Sequence, residues 1–256
     1  MKDQFLRSEG NFSFVPAHGT YCKDVLPDSG FQIVHATFVQ AVPLVAGFAA
    51  IQAHLAGCGR TVQALCGLEL RISRALSFPD FDSFNQKYVV LLDQYRLRNH
   101  DGEAILATMT RTNVAPETPA AKPSEPSIFA FSYVVPGSRS AGRKSFVCSG
   151  SGELAGPGRD SIVALGDTSP AGLRAKAHWV MQNYDQRLAG LGLSWADVTC
   201  VNLYCVHPPS SFFEQEMLHV MGRHAWLGVH WHYARPPIIE IEFEADLRGT
   251  SIEEYL

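Results

Sequence analysis

Leu55-Ala56-Gly57-Cys58-Gly59 and Leu188-Ala189-Gly190-Leu191-Gly192 are two versions of one short phrase, at an offset of 133 (Gly59 to Gly192). Each ends a stretch of helical periodicity and leads into an apolar run, the place where a glycine stops a helix. Five residues are a small sample, but the elements around them repeat in the same order. In the first half, residues 31–39 read as a strand and 40–56 as a helix, with Val45, Phe48, Ile51 (or Ala49) and Leu55 at helical spacing. Pro43 fits the first turn of that helix, where the N–H groups have no partner anyway. Residues 63–72 are strand-like, 81–95 helical, and 104–114 and 127–135 return to strand. In the second half, 145–150 and 161–165 read as strands. Residues 171–189 form a helix whose Leu173, Ala177, Val180, Met181, Tyr184 and Leu188 share a face. Then come a strand at 197–206, a short helix at 212–221, and strands at 229–234 and 238–247. A repeated order of strands joined by helices implies a duplicated, layered α/β (α+β) fold, each copy a mixed sheet with helices on one face.

The bulk properties agree with two domains. The chain has 256 residues, 46% hydrophobic and 18% charged, as an ordinary folded protein does. The copies divide as residues 1–136 and 137–256. The proline-rich connection 116–126 (PETPAAKPSEP) lies inside the first, and the turn-rich 136–144 (PGSRSAGRK) lies at the boundary. A formal net charge of −4 and no long basic run argue against a nucleic-acid partner. The most apolar stretch, 38–55, is broken by Gln40, Pro43, Gln52 and His54, so no membrane span is expected. The N-terminus lacks a signal-peptide core, and the six cysteines form no CxxC pair. These features read as a cytoplasmic protein with free thiols.

Several motifs carry a family resemblance. In the second half, Ser149-Gly150 ends a strand, Gly192-Leu193-Ser194-Trp195-Ala196-Asp197-Val198 follows the long helix, and Glu240-Ile241-Glu242 follows a proline turn. In the first half, Phe81-Asp82-Ser83-Phe84-Asn85-Gln86-Lys87-Tyr88 and Arg111-Thr112-Asn113-Val114 complete the set. In order and spacing these resemble the RidA (YjgF-like) family, present in tandem, and the duplicated arrangement is similar to that of the chorismatases. The resemblance implies a chorismate mutase-like fold and trimers with clefts between neighbouring units. It also implies a hydrolase that converts enamines or imines of small carboxylated substrates to ketoacids and ammonia without a cofactor. The implied machinery is an arginine that grips the carboxylate as a fork and a glutamate that activates water.

Neither copy carries both groups. Arg111 stands at the arginine position of the first, where the second shows Gly228. Glu240 stands at the glutamate position of the second, where the first shows Phe129. A composite site pairing Arg111 with Glu240 between the copies is therefore the leading expectation, with Asn85, Tyr88, Asn113, Ser149 and Gly150 as substrate-binding residues. On an extended strand Glu242 would share the face of Glu240. The alternatives are chorismatase-like hydrolysis of a cyclic carboxylate, or a catalytically silent binding or assembly protein in which Arg111 and Glu240 are surface charges and Tyr88 packs on the sheet. His230-Trp231-His232 would aim two imidazoles to one face, but a third zinc ligand at a recognisable spacing is missing, so no metal is assigned. Glu69 and Arg71 read as an ion pair, Glu153 as a turn-exposed carboxylate, and Cys148 and Cys205 lack a histidine partner.

Overall fold

The computed structural model describes residues 4–102, 104–137 and 144–256. Most of the turn-rich boundary segment 136–144 therefore lies outside the described residues. The first part of the chain contributes β1 (Leu6–Ser8), β2 (Phe12–Val15), β3 (Asp24–Pro27), β4 (Phe31–Pro43), α1 (Leu44–Gly57), β5 (Leu65–Arg71), α2 (Phe78–Gln94), β6 (Arg98–Asp101), β7 (Ala104–Ala107), β8 (Thr110–Pro116) and β9 (Ser127–Pro136). The second contributes β10 (Phe146–Gly152), α3 (Pro170–Gly190), β11 (Cys200–Tyr204), β12 (His230–His232), β13 (Ala234–Arg235), β14 (Glu244–Gly249) and β15 (Ile252–Tyr255).

The phrase that repeats in sequence repeats in space. Gly59 and Gly192 both take left-handed backbone angles, φ +68° and +67°, just beyond the ends of α1 and α3. Both helices then turn into the apolar strands β5 and β11. Capping side chains open α2 and α3. Ser77 accepts from the Asp80 N–H at the start of α2, and Ser169 from the Gly172 N–H at the start of α3.

Among the described residues the strands form a seven-stranded sheet, in the order β1-β2-β3-β10-β14-β11-β12, a six-stranded sheet, in the order β13-β8-β5-β9-β4-β15, and a separate pair, β6-β7. Each part of the chain lends strands to the other's sheet. The N-terminal hairpin joins β10 through β3, while β13 pairs with β8 and β15 with β4. Strand alternation assigns the faces. Leu68 and Leu70 of β5 pack under α1 and α2 with Phe48, Ile51, Leu55 and Leu92. Leu203, Ala245 and Leu247 pack under α3, against the apolar face expected from its spacing. The opposite faces meet across a polar layer in which His35, Glu69, Thr110, Thr112, Asp246 and Arg248 surround a water-sized gap. Glu69 and Arg71 form the expected ion pair (3.3 Å), which Arg248 extends at 3.5 Å. The layered α/β architecture with helices on one face of each sheet is thus the observed one. No helix among the described residues is long and apolar enough to cross a membrane.

Local departures have local causes. Residues 40–43 belong to β4, and α1 starts at Leu44, because a proline biases its predecessor towards extended backbone. Residues 161–165 form turns with one isolated bridge, Leu154 to Ile162, rather than a strand. The run 229–234 is divided between β12 in one sheet and β13 in the other. The run 238–247 becomes a strand only from Glu244, for a reason that emerges at the site.

Candidate active site

On β8 the side chains alternate, so Thr110 and Thr112 face the polar layer while Arg111 and Asn113 face the opposite way, into a cleft of about 230 Å³. Arg111 is 6% exposed. Its Nη1 donates to Asn85 Oδ1 at 2.8 Å, and its guanidinium lies 5.0–5.8 Å from the ring centres of Tyr88, Phe81, Tyr21 and Phe84. Helical spacing brings Asn85 and Tyr88 to this one charge, and the ring faces stabilise it. Burial lowers the Arg111 pKa from its ordinary value, opposed by Tyr88, Tyr21 and Glu244. A guanidinium nonetheless stays charged in proteins. Among the described residues the fully buried Tyr88 donates to Met109 Sδ alone (3.9 Å), so it serves as floor beneath the arginine.

Ser149 fixes the strand crossing. It accepts from the Arg111 N–H (2.9 Å) and donates to the Cys22 carbonyl (2.6 Å). A register shift between Cys148 and Ser151 then lets Gly150 face the cleft. A Cβ on Gly150 would collide with Glu244 Oε1, so the glycine makes room for that carboxyl group. Asn113 is 3% exposed, and among the described residues neither polar atom of its carboxamide has a hydrogen-bond partner. A buried amide left this way is costly unless a ligand engages it.

The carboxyl group that shares the cleft with Arg111 is Glu244, not Glu240. Glu244 opens β14, opposite Gly152 of β10 and Tyr204 of β11. Glu240 does not line the cleft, although Ile238 and Ile241 do. It sits on a tight turn with φ +75°, where Arg159 holds both its oxygens (2.6 and 2.5 Å). The alternation read through Glu240-Ile241-Glu242 fails because the backbone there is not extended. Glu153 causes this. Its carboxylate accepts the N–H groups of Glu242 (2.6 Å) and Phe243 (3.0 Å), which a ladder would otherwise use. Glu153 is fully buried and paired with the equally buried Lys176 (3.2 Å), rather than exposed on a turn.

Sheet register also corrects the equivalences drawn between the copies. At an offset of 133, Leu68 corresponds to Val201 and Arg71 to Tyr204. Arg111 pairs with Leu68, and the β12 position one step before the Asn202–His230 pair is Val229, so Val229 rather than Gly228 stands where the arginine would be. Tyr204 pairs with Glu244 and Arg71 with Ser127, so Ser127 rather than Phe129 stands where the glutamate would be. Phe129 instead lies under the Arg71 guanidinium, 4.1 Å from its ring centre.

Burial, then the carboxylates of Asp246 and Glu153, push the Glu244 pKa well above the usual carboxylate range, against the pull of Arg111. Asp246 is itself raised to about 6, by burial and then by Glu69. The protonated form of Glu244 is thus favoured relative to an ordinary carboxylate, as a group that donates a proton requires. His230 and His232 are engaged elsewhere. His230 Nδ1 lies 3.5 Å from Cys200 Sγ, while His232 stacks on Tyr204 and contacts Asn202 Oδ1 at 3.2 Å. Among the described residues no group of three His, Cys, Asp or Glu is placed to hold a metal ion.

Sequence reasoning missed Glu244, together with Tyr21, Trp179 and Asn183 on the cleft walls. The signal for Glu244 was present as the third glutamate of Glu240-Ile241-Glu242-Phe243-Glu244, directly before an apolar alternation.

Among solved structures, the chain is similar to a chorismatase (12% identity, 96% of this chain and 79% of that one, TM-score 0.47). It is also similar to an L-PSP-type protein from Entamoeba histolytica (18% identity, 41% and 79%, TM-score 0.33). In sequence it is 37% identical over 259 residues to the 2-amino-5-chloromuconate deaminase of Comamonas testosteroni, covering 100% of both chains. The family model described as 2-aminomuconate deaminase CnbZ matches residues 5–254. With a match over nearly its whole length and a relative aligned end to end, the chain belongs to the 2-aminomuconate deaminase (CnbZ) family.

Proposed function

We propose that the chain is a hydrolytic deaminase of a 2-aminomuconate-type dicarboxylate, acting where the two copies, 1–136 and 137–256, meet. The observation that carries this reading is the single cleft lined by Arg111 of one copy and Glu244 of the other. Such a substrate is an enamine with a carboxylate on the carbon that bears nitrogen. Arg111, preorganised by Asn85 and the rings, grips that carboxylate, and Asn113 supplies a donor and an acceptor beside it.

Glu244 then handles the protons. In its neutral form it gives a proton to the enamine carbon as the nitrogen lone pair forms the iminium bond. The resulting carboxylate takes a proton from the water that adds to the iminium carbon. Glu244 returns that proton to nitrogen, the carbon–nitrogen bond breaks with its electrons as ammonia leaves, and the hydroxyl proton passes back to Glu244 as the ketone forms. One water is consumed, and a ketoacid and ammonia result. The protein needs neither metal nor cofactor for this sequence. Self-association, with a trimer as the favoured state, belongs to the same reading, and analytical ultracentrifugation tests it.

The decisive experiment follows ammonia release and loss of dienamine absorbance from 2-aminomuconate. Glu244→Gln is expected to lower kcat by about 10²–10⁴-fold. Glu240→Gln should stay within about twofold of wild type, since its partner is an exposed arginine. A wild-type rate in Glu244→Gln, or collapse in Glu240→Gln, overturns the assignment.

A further inference from the structure

We infer that Trp179 and Asn183, one turn apart on α3, seat the second carboxylate of the substrate through uncharged hydrogen-bond donors. This rests on the deaminase reading, in which the substrate carries a carboxylate at each end of a conjugated six-carbon chain. Arg111 accounts for one end. It sits on the first copy's wall of the cleft that Glu244 also lines, so the reacting carbon belongs between these two groups. The conjugated chain is stiff, and its far carboxylate must reach another wall.

The wall supplied by α3 presents Trp179 and Asn183. Residues four apart share a helix face, and both line the cleft. Their neighbours Val180 and Tyr184 turn into the core, and Trp179 packs partly against it, while Trp179 and Asn183 both border the cleft. Each brings an N–H donor, the indole Nε1 and the carboxamide Nδ2. Among the described residues, neither side chain makes a hydrogen bond within the protein.

Buried cations do occur on α3, but they are committed elsewhere. Lys176 is held by Glu153 (3.2 Å) and the Val163 carbonyl (2.9 Å). Arg187 is held by Asp24 (3.0 and 2.6 Å) and by the carbonyls of Ser149 and Lys23. The distal end is therefore read by neutral groups while the reacting end is read by charge. That asymmetry orients a substrate whose two carboxylates are otherwise alike, because the stronger grip belongs beside the proton donor.

A matched pair of ligands tests the seat without requiring turnover. Sorbate is the same diene as trans,trans-muconate with a methyl group in place of one carboxylate. By titration calorimetry on the full chain, wild type is expected to bind muconate about tenfold more tightly than sorbate. The double variant Trp179→Phe/Asn183→Ala should bring that ratio to about one with the sorbate affinity unchanged, whereas Arg111→Ala weakens both ligands. Circular dichroism checks that each variant is folded. In turnover, the double variant should raise KM for 2-aminomuconate by a larger factor than KM for the monocarboxylate 2-aminoacrylate. Equal binding of the two ligands by wild type, no binding of either, or a ratio that survives in the double variant overturns the seat. Selective muconate binding without deamination would instead sink the deaminase reading and leave the seat standing.

Discussion

At one end of the molecule, β8 and β14 bring Arg111 and Glu244 to a common cleft; at the register-equivalent end, the same positions hold Val229 and Ser127. Apart from these positions, the molecule has a second cleft of about 650 Å³, lined by Val39, Gln40 and Ala41 of β4 and by His232 and Tyr233. It also contains a buried arginine beside an aromatic ring, Arg71 against Phe129. The difference lies in what the arginine faces. Arg111 is held by a neutral amide and leaves its charge for a ligand, while Arg71 spends its charge on Glu69. Arg71 is thereby part of the polar layer that joins the sheets, together with Glu69 and Arg248.

The largest expected effect separates these two arginines. Arg111→Ala should reduce kcat/KM by about 10³-fold, the scale of losing a charge-assisted fork to a carboxylate. Arg111→Lys should recover little, because an ammonium cannot reproduce two parallel bonds. Arg71→Leu should leave kcat/KM of the folded protein close to wild type yet cost about 3 kcal/mol of stability, by taking one of its two guanidinium partners from the buried Glu69. Steady-state kinetics beside urea unfolding reads both. If Arg71→Leu abolished turnover in protein that is still folded, the two ends would not differ as described.

Next in size is Gly150→Ala. Its methyl group would occupy the place of Glu244 Oε1, so kcat should fall by about one to two powers of ten as the acid is displaced. The accompanying stability cost should be about 1–3 kcal/mol, as for other overpacked sites. A cavity-tolerant outcome, with full activity, would mean that Glu244 can act from another rotamer. A smaller and more specific effect concerns Asp246, whose carboxylate follows burial among the causes that raise Glu244. A neighbouring negative charge favours the protonated acid, so Asp246→Asn should move the alkaline limb of the kcat profile towards lower pH. An unchanged limb would assign it to another group.

The two ends also show what was legible in the chain. The duplication, the cover of helices and the face of α3 follow from glycine placement and apolar spacing, which are local signals. Arg111, Asn85 and Asn113 sit inside regular elements but were singled out by the family resemblance, and Gly150 reaches the cleft only through the register shift after Cys148. Glu240 misled because its environment is set by distant partners. Arg159 binds its carboxylate, and Glu153, some ninety positions earlier, takes the backbone N–H groups that would have extended the strand. Trp179 and Asn183 lie on the flank of a helix whose apolar face drew the eye, and nothing in their spacing distinguishes a cleft wall from a solvated surface. Swapped strands such as β1–β3 and β15 are non-local pairings with no signature of their own.

The smallest predicted effect probes the joining layer itself. His35 lies 3.6 Å from Glu69 and contacts Ser132 Oγ at 2.9 Å. Burial, and then Arg248, lower its pKa from 6.5 to about 4. The unfolded chain therefore takes up a proton at this residue as pH falls through 6.5, while the folded chain resists until about 4. Stability is lost across that window, by up to ~1.4 kcal/mol per pH unit for this one group. Asp246, raised to about 6, acts in the opposite direction, because its folded form takes up a proton before the unfolded form does. The net slope of wild type thus mixes signs, and a difference between two proteins is the cleaner measure. His35→Gln keeps a polar side chain in the layer and removes the titration, so its stability should fall less steeply than wild type between pH 6.5 and 4 in matched urea melts. Parallel curves would place His35 outside the electrostatics of the layer, and the contrast between a catalytic end and a cohesive end would then rest on Arg71 alone.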